Sequence, residues 1–108
     1  MNLDGVFDVQ VNSVAPVELY PGVRLRTLLS SDLLMGTKIQ YVEIDPGGRF
    51  LGLDVHRPGP EEVFVLEGVF NDGVRDYPAG SLIHNPAGSS HIPQSKTGCR
   101  LLVLLPQG

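Results

Sequence analysis

Cysteine is almost absent from this chain: one residue, Cys99, among 108. A single thiol excludes an internal disulfide and any zinc site built from several thiolates, such as a ribbon or a finger. Cys99 lies in GCRLLVLLP, at the mouth of an apolar stretch, where a free cysteine reads as a small buried hydrophobe rather than a nucleophile. Clustered basic residues are lacking too. With a net charge of −4 and no run of Lys or Arg, the chain offers no patch to neutralise phosphates. Nucleic acid and anionic membrane surfaces are therefore not expected as partners. Long apolar runs are also scarce, and the longest, Leu101 to Leu105, is far too short to cross a bilayer. The opening MNLDGVFDVQVN carries acidic residues where a secretory signal would place basic ones before an apolar stretch, so a cytoplasmic location is expected. There is no internal repeat, low-complexity tract or composition break. One domain over 1–108 follows, of a size that buries about two-thirds of the surface its unfolded chain exposes.

What the chain does have is punctuation. Thirteen glycines and nine prolines are spread along its whole length and separate short segments at strand-like intervals, which points to an all-β fold. Val23 to Leu29 reads as a strand introduced by Tyr20-Pro21-Gly22. Lys38 to Asp45 reads as a second, closed by Pro46-Gly47-Gly48. Glu62 to Leu66 and Leu101 to Leu105 are continuous apolar runs, the pattern of strands covered on both faces. Asn71-Asp72-Gly73 is a hairpin signal, and Asp76 to Gly80 reads as another turn. Only Leu28 to Met35 could make a helical turn or two, and its serines and aspartate suit a loop or strand end equally well. About eight to ten short strands must close into a barrel or stack as two sheets, because an open sheet would leave edges exposed.

An aspartate, a histidine and a pair of glutamates gather within nine residues in GLDVHRPGPEEVFVLEG, from Gly52 to Gly68. In an extended strand alternate side chains share a face, so Asp54 and His56 can point inward together while Val55 points away. Pro58-Gly59-Pro60 then turns the chain, Glu61 can return at the start of the next strand, and Glu62 faces the other side. An aspartate before such a turn also reads as a solvated loop acid. His91 lies beyond the Pro86 to Gly88 turn. Ser89-Ser90-His91 holds the atoms for a nucleophile and a base. It lacks a nucleophile elbow, and Ser90 and His91 would point to opposite faces of a strand. Pro46-Gly47-Gly48 lacks the Lys-Ser/Thr and helix of a phosphate loop.

Gly48, Asp54, His56, Glu61 and Gly68, followed by Gly80, Pro86, Gly88, His91 and Ser95, resemble the two signature motifs of the cupin superfamily, G-x5-H-x-H-x3–4-E-x6-G and G-x5-P-x-G-x2-H-x3-N. Asp54 and Ser95 are the two departures. The phrases PGVRLRTLL, IDPGGRF, PEEVFVLEGVFND, DYPAG and NPAGSSHIP are similar to the single-domain cupins related to the C-terminal domain of ChrR-type anti-sigma factors. An alternative pairing with the H-x-H-P-G-G-E-E loop of that subgroup treats His56 as the first histidine and the second as deleted.

The resemblance implies an RmlC-like jelly-roll β-barrel, or double-stranded β-helix, over 21–108, with 1–20 as an N-terminal strand or arm. It implies a divalent metal held by His56, Glu61 and His91, with Asp54 as a fourth ligand. Mixed oxygen and nitrogen donors suit iron(II), manganese, nickel or zinc. His84 is a candidate pocket-wall or neighbouring residue, and Tyr41, Phe50 and Phe64 are candidate core or pocket lining. The implied function is a small metal-dependent enzyme, dioxygenase-like, acting on a small organic molecule. A metal or ligand sensor without turnover and a degenerate, metal-free barrel are the alternatives. ChrR-type factors grip sigma through a separate zinc domain for which this chain has neither the length nor the thiols, so an anti-sigma role is not expected. A homodimer is expected from family habit, with Leu3 to Val11 alternating suitably for an exchanged strand.

Overall fold

The computed structural model describes residues 1–31 and 36–108. Among the described residues, nine strands follow a short 3₁₀ turn at Val11–Ser13: β1 (Val17–Tyr20), β2 (Val23–Ser31), β3 (Thr37–Ile44), β4 (Asp54–Val55), β5 (Glu61–Asn71), β6 (Asp76–Pro78), β7 (Leu82–Asn85), β8 (Ser90–His91) and β9 (Cys99–Leu105). All pairings are antiparallel, in a main sheet ordered β1-β2-β3-β9-β5-β6, with β7 on the other edge of β5 and a small β4-β8 ladder apart. The arrangement is all-β, with β9 crossing from the end of the chain to lie between β3 and β5.

Local chemistry sets these elements. Gly22 turns β1 into β2 with φ 78°, a backbone region that L side chains avoid. Gly68 has a stricter reason for its identity: a Cβ there would stand 2.1 Å from the Gly98 carbonyl oxygen. The close approach lets β5 and β9 stay paired beside the bulge between Val65 and Glu67. Along each strand the pleat sends alternate residues inward. Val23, Val42, Ile44, Val63, Val65, Phe70, Leu101 and Val103 form the core with Cys99. Burial pushes the Cys99 thiol up to about 11, so it is a neutral core group.

Several expectations change. Glu62 to Leu66 is part of an eleven-residue strand, and it is not covered on both faces: Val63 and Val65 are buried while Phe64 and Leu66 are 37% and 45% exposed. A strand at the wall of a barrel has only one inner side. Asp76 to Pro78 is strand β6, paired with Val69–Asn71, and only Ala79-Gly80 turns. The sheet begins at Val17, inside the stretch expected as an arm. Leu3 to Val11 forms no strand, and Leu3, Val6, Phe7 and Val9 are exposed, because the alternation finds no partner edge within the chain. Of Leu28 to Met35, where a helical turn, a loop and a strand end were equally open, Leu28 to Ser31 extend β2 and the rest lies outside the described residues.

Candidate metal centre

Strand pairing brings the chemistry together from three places. In the β4-β8 ladder Asp54 lies opposite His91 and Val55 opposite Ser90. Alternation then turns Asp54 and His91 inward and leaves Ser90 exposed. The chain past β4 is held to the same hairpin: the His56 amide donates to the Ser89 carbonyl at 2.9 Å, and the Gly88 amide to the His56 carbonyl at 2.8 Å. Gly88, with φ 85°, permits the turn that makes this clasp. Glu61 opens β5 opposite Asn85 and is 8% exposed, whereas Glu62 faces outward.

The result is a tight group. One donor atom from each of Asp54, His56, Glu61 and His91 lies within 4.8 Å of all the others, and the last three residues are buried. The two imidazole Nε2 atoms are 3.0 Å apart. Asp54 Oδ2 is 3.2 Å from His91 Nε2 and 3.6 Å from His56 Nε2. Glu61 Oε1 is 3.5 Å and 3.3 Å from the same two atoms. Among the described residues no other group of three or more potential metal ligands converges in this way.

A further residue decides how His56 presents itself. Ser89 Oγ donates its one proton to the Pro86 carbonyl at 2.6 Å, so it must accept from His56 Nδ1 at 2.8 Å. That bond places the His56 proton on Nδ1 and leaves the Nε2 lone pair facing the group, the state a metal ligand needs. His91 presents Nε2 as well, with its Nδ1 buried and unpartnered among the described residues. Two imidazole nitrogens and two carboxylates facing one point require protons or a cation between them. In the protein alone a proton serves: burial, with the Asp54 charge second, pushes Glu61 up to about 7. The hydrogen bond from His91 holds Asp54 below its ordinary value, and burial lowers His56. The donor set fits a borderline divalent ion of the iron, manganese, nickel or zinc kind, and no ion is identified by it.

The group forms one wall of a cavity of about 220 Å³ inside the barrel. Leu25, Val42, Phe50, Val63, Leu101 and Val103 supply apolar lining, and Gln40 adds one polar side chain from β3. Phe50 therefore lies where pocket lining was expected, packed on Tyr20 with ring centroids 4.9 Å apart. Phe64, Tyr41 and His84 do not line this cavity. Tyr41 and Phe64 each stand opposite Leu102, one step out of phase with the inward residues. His84 stands opposite Glu62 on the outer face, its Nδ1 2.5 Å from Glu62 Oε1 and its side chain 61% exposed. Their positions follow from parity, because the inward set on β3, β5 and β7 is Gln40-Val42, Val63-Val65 and Ile83-Asn85.

Two residues carry roles that the sequence did not foretell. Ser89 is 33 positions from His56 and carries no local signal of contact with it. Ser95, in the position of the motif's asparagine, is 2% exposed and donates from Oγ to the Val69 carbonyl at 2.5 Å. Its backbone also pairs with Gly47 and Gly48, so it fastens the barrel and leaves the centre to others.

The model of the ChrR cupin-like domain family matches residues 5–107. Among solved structures, a predicted oxalate decarboxylase from Thermotoga maritima is 22% identical with a TM-score of 0.75, over 91% of this chain and 96% of that one. In the Rhodobacter sphaeroides SigE complex with the anti-sigma ChrR, the match is 23% identical with a TM-score of 0.74. It covers 89% of this chain and 50% of that one. An acetylacetone dioxygenase from Acinetobacter johnsonii is 16% identical with a TM-score of 0.78, over 97% and 75% of the two chains. No curated protein sequence matches. At these identities the structural likeness speaks for the cupin fold alone.

Proposed function

The chain belongs to the ChrR cupin-like domain family, and on that premise we propose that it is a metal-dependent enzyme. It acts on a small organic molecule at a divalent transition metal held by Asp54, His56, Glu61 and His91. The observation that carries this reading is the convergence of four donor atoms within 4.8 Å at the wall of an apolar cavity. Bound there, the ion would polarise a substrate oxygen or activate dioxygen. The chain's own residues do the rest. Ser89 keeps the His56 lone pair turned inward, Glu61 and Asp54 supply the anionic donors, and the apolar walls exclude bulk water from the reacting face.

Asp54 is the departure that most favours a degenerate barrel, and its geometry speaks against that alternative. Its carboxylate lies beside His91 and His56 on the inner side of β4, with 33% of the side chain still open to solvent. An acetylacetone dioxygenase and a predicted oxalate decarboxylase are among the proteins that share the fold, which favours the enzyme reading. The likeness to ChrR favours a second reading, a sensor that binds without turnover. Elemental analysis of protein purified without chelator or affinity-tag nickel is the test: a first-row transition metal near stoichiometry is expected, and His91→Ala should lose it. Absence of metal, with no uptake on reconstitution, would overturn the reading. Oxygen uptake with a panel of diketones and 2-oxo acids then separates enzyme from sensor.

The same proposal includes a cytoplasmic homodimer. Its support is the row Tyr41, Leu102, Phe64 and Leu82 across the outer sheet, together with the exposed arm residues Leu3, Val6 and Phe7. Light scattering giving a monomer mass would reject the dimer, and fractionation of the source cells checks the location.

A further inference from the structure

Gln40 stands out in the cavity by its isolation. It shares the inner face of β3 with Val42 and Ile44 and lies opposite Val103, which in turn lies opposite Val63. Gln40 is half-buried and among the residues that line the cavity, and among the described residues its carboxamide has no hydrogen-bond partner. Apart from the four convergent donors, Arg57 and the backbone of Gly108, the remaining lining is apolar, and Arg57 is exposed. An amide turned into apolar surroundings is costly unless something else hydrogen-bonds to it. From Gln40 to Glu61 the wall crosses two strand spacings and two residues of rise, roughly 12 Å between Cα atoms. Inward-reaching side chains leave a gap that a short molecule would bridge.

Charge narrows the class of that molecule. Asp54 and Glu61 together match the two charges of a divalent ion, so no positive charge is left over for a second anion. Arg57, the one cation among the lining residues, is exposed, where pairing with an anion gains little. A carboxamide donates and accepts without carrying charge, which suits a carbonyl, hydroxyl or amide. A volume of about 220 Å³ is smaller than the roughly 300–1,000 Å³ of pockets for drug-sized ligands. Resting on the metal reading above, we propose that Gln40 is the second recognition point of this cavity. Its ligand is a small, electrically neutral molecule with an oxygen-bearing group at each end of a short apolar body.

The experiment uses the full chain with and without zinc, which is redox-inert, and two probes of similar size: 2,4-pentanedione, neutral near pH 7, and malonate, a dianion. Ligand-observed NMR reads binding, with zinc content measured for every sample. Pentanedione should bind zinc-loaded protein at least about tenfold more tightly than malonate. Gln40→Met, close in shape, should weaken pentanedione binding roughly three- to tenfold, the worth of one neutral hydrogen bond, without changing zinc content. Gln40→Glu keeps the shape and should weaken malonate further, which guards against a packing defect in the first variant. Malonate binding as tightly as pentanedione, or both variants binding like wild type while zinc stays stoichiometric, overturns the inference and leaves the metal reading standing. If wild type takes up no zinc yet Gln40→Met still loses pentanedione binding, the metal reading fails and the role of Gln40 stands.

Discussion

Glu61→Gln should remove the part of the metal-free protein's stability that is lost as pH rises. The Glu61 carboxyl, ordinarily at 4.5, is pushed up to about 7 because it is buried and faces the Asp54 charge. Below 4.5 it is protonated in both the folded and the unfolded chain. Between 4.5 and about 7 the folded chain keeps a proton that the unfolded chain has released, so stability falls as pH rises, by up to ~1.4 kcal/mol per unit. Above about 7 the loss is complete at roughly 3 kcal/mol, a large share of the ~5–15 kcal/mol that holds a domain together. His56 works the other way. Burial lowers its folded value beneath 6.5, so its contribution is lost as pH falls through that lowered value. Asp54, lowered by its bond from His91, acts only below 3.8. Wild type alone reports the sum, and the difference between wild type and Glu61→Gln isolates one group. Urea unfolding in chelator from about pH 5 to 8.5 should show the variant gaining on wild type by up to ~3 kcal/mol. Parallel profiles across that range would refute the assignment of the proton to Glu61.

Three further outcomes follow from the same geometry. Ser89→Ala removes the acceptor that holds the His56 proton on Nδ1, and metal affinity should fall about 10- to 100-fold with the fold intact, measured by competition against a chelating dye. Unchanged affinity would mean that the tautomer is held by something else. Metal uptake by wild type should rise with pH up to about 7, because binding displaces the Glu61 proton, and proton release measured calorimetrically in two buffers checks it. Gly68→Ala places a Cβ 2.1 Å from the Gly98 oxygen at φ 76°. It should destabilise by at least ~3 kcal/mol, with a folded variant of wild-type midpoint as the contrary result.

Parity explains where reading along the chain was reliable. Asp54, Val55 and His56 alternate within three residues, and Pro58-Gly59-Pro60 leaves little choice about where the chain turns, so their shared face was legible locally. Tyr41, Phe64 and His84 belong to strands whose phase depends on the partner strand. Phe64 is as apolar as Val63, and only pairing with β9 and β7 decides that one faces the cavity and the other solvent. The length of β6 was hidden for a similar reason: Asp76-Tyr77-Pro78 looks like turn chemistry, and pairing with Val69–Asn71 makes it a strand.

The sequence by itself determined the all-β architecture, through glycines and prolines at strand-length intervals, and the four titratable residues, through spacings that strands and tight turns translate directly into position. Tertiary structure alone decided that Asp54 faces His91 and that Ser89 orients His56. It alone set Gln40 against the far wall and turned Ser95 to the barrel's fastening. Each of those contacts joins segments far apart in the chain, and its energy depends on register and burial, which no local pattern of residues encodes.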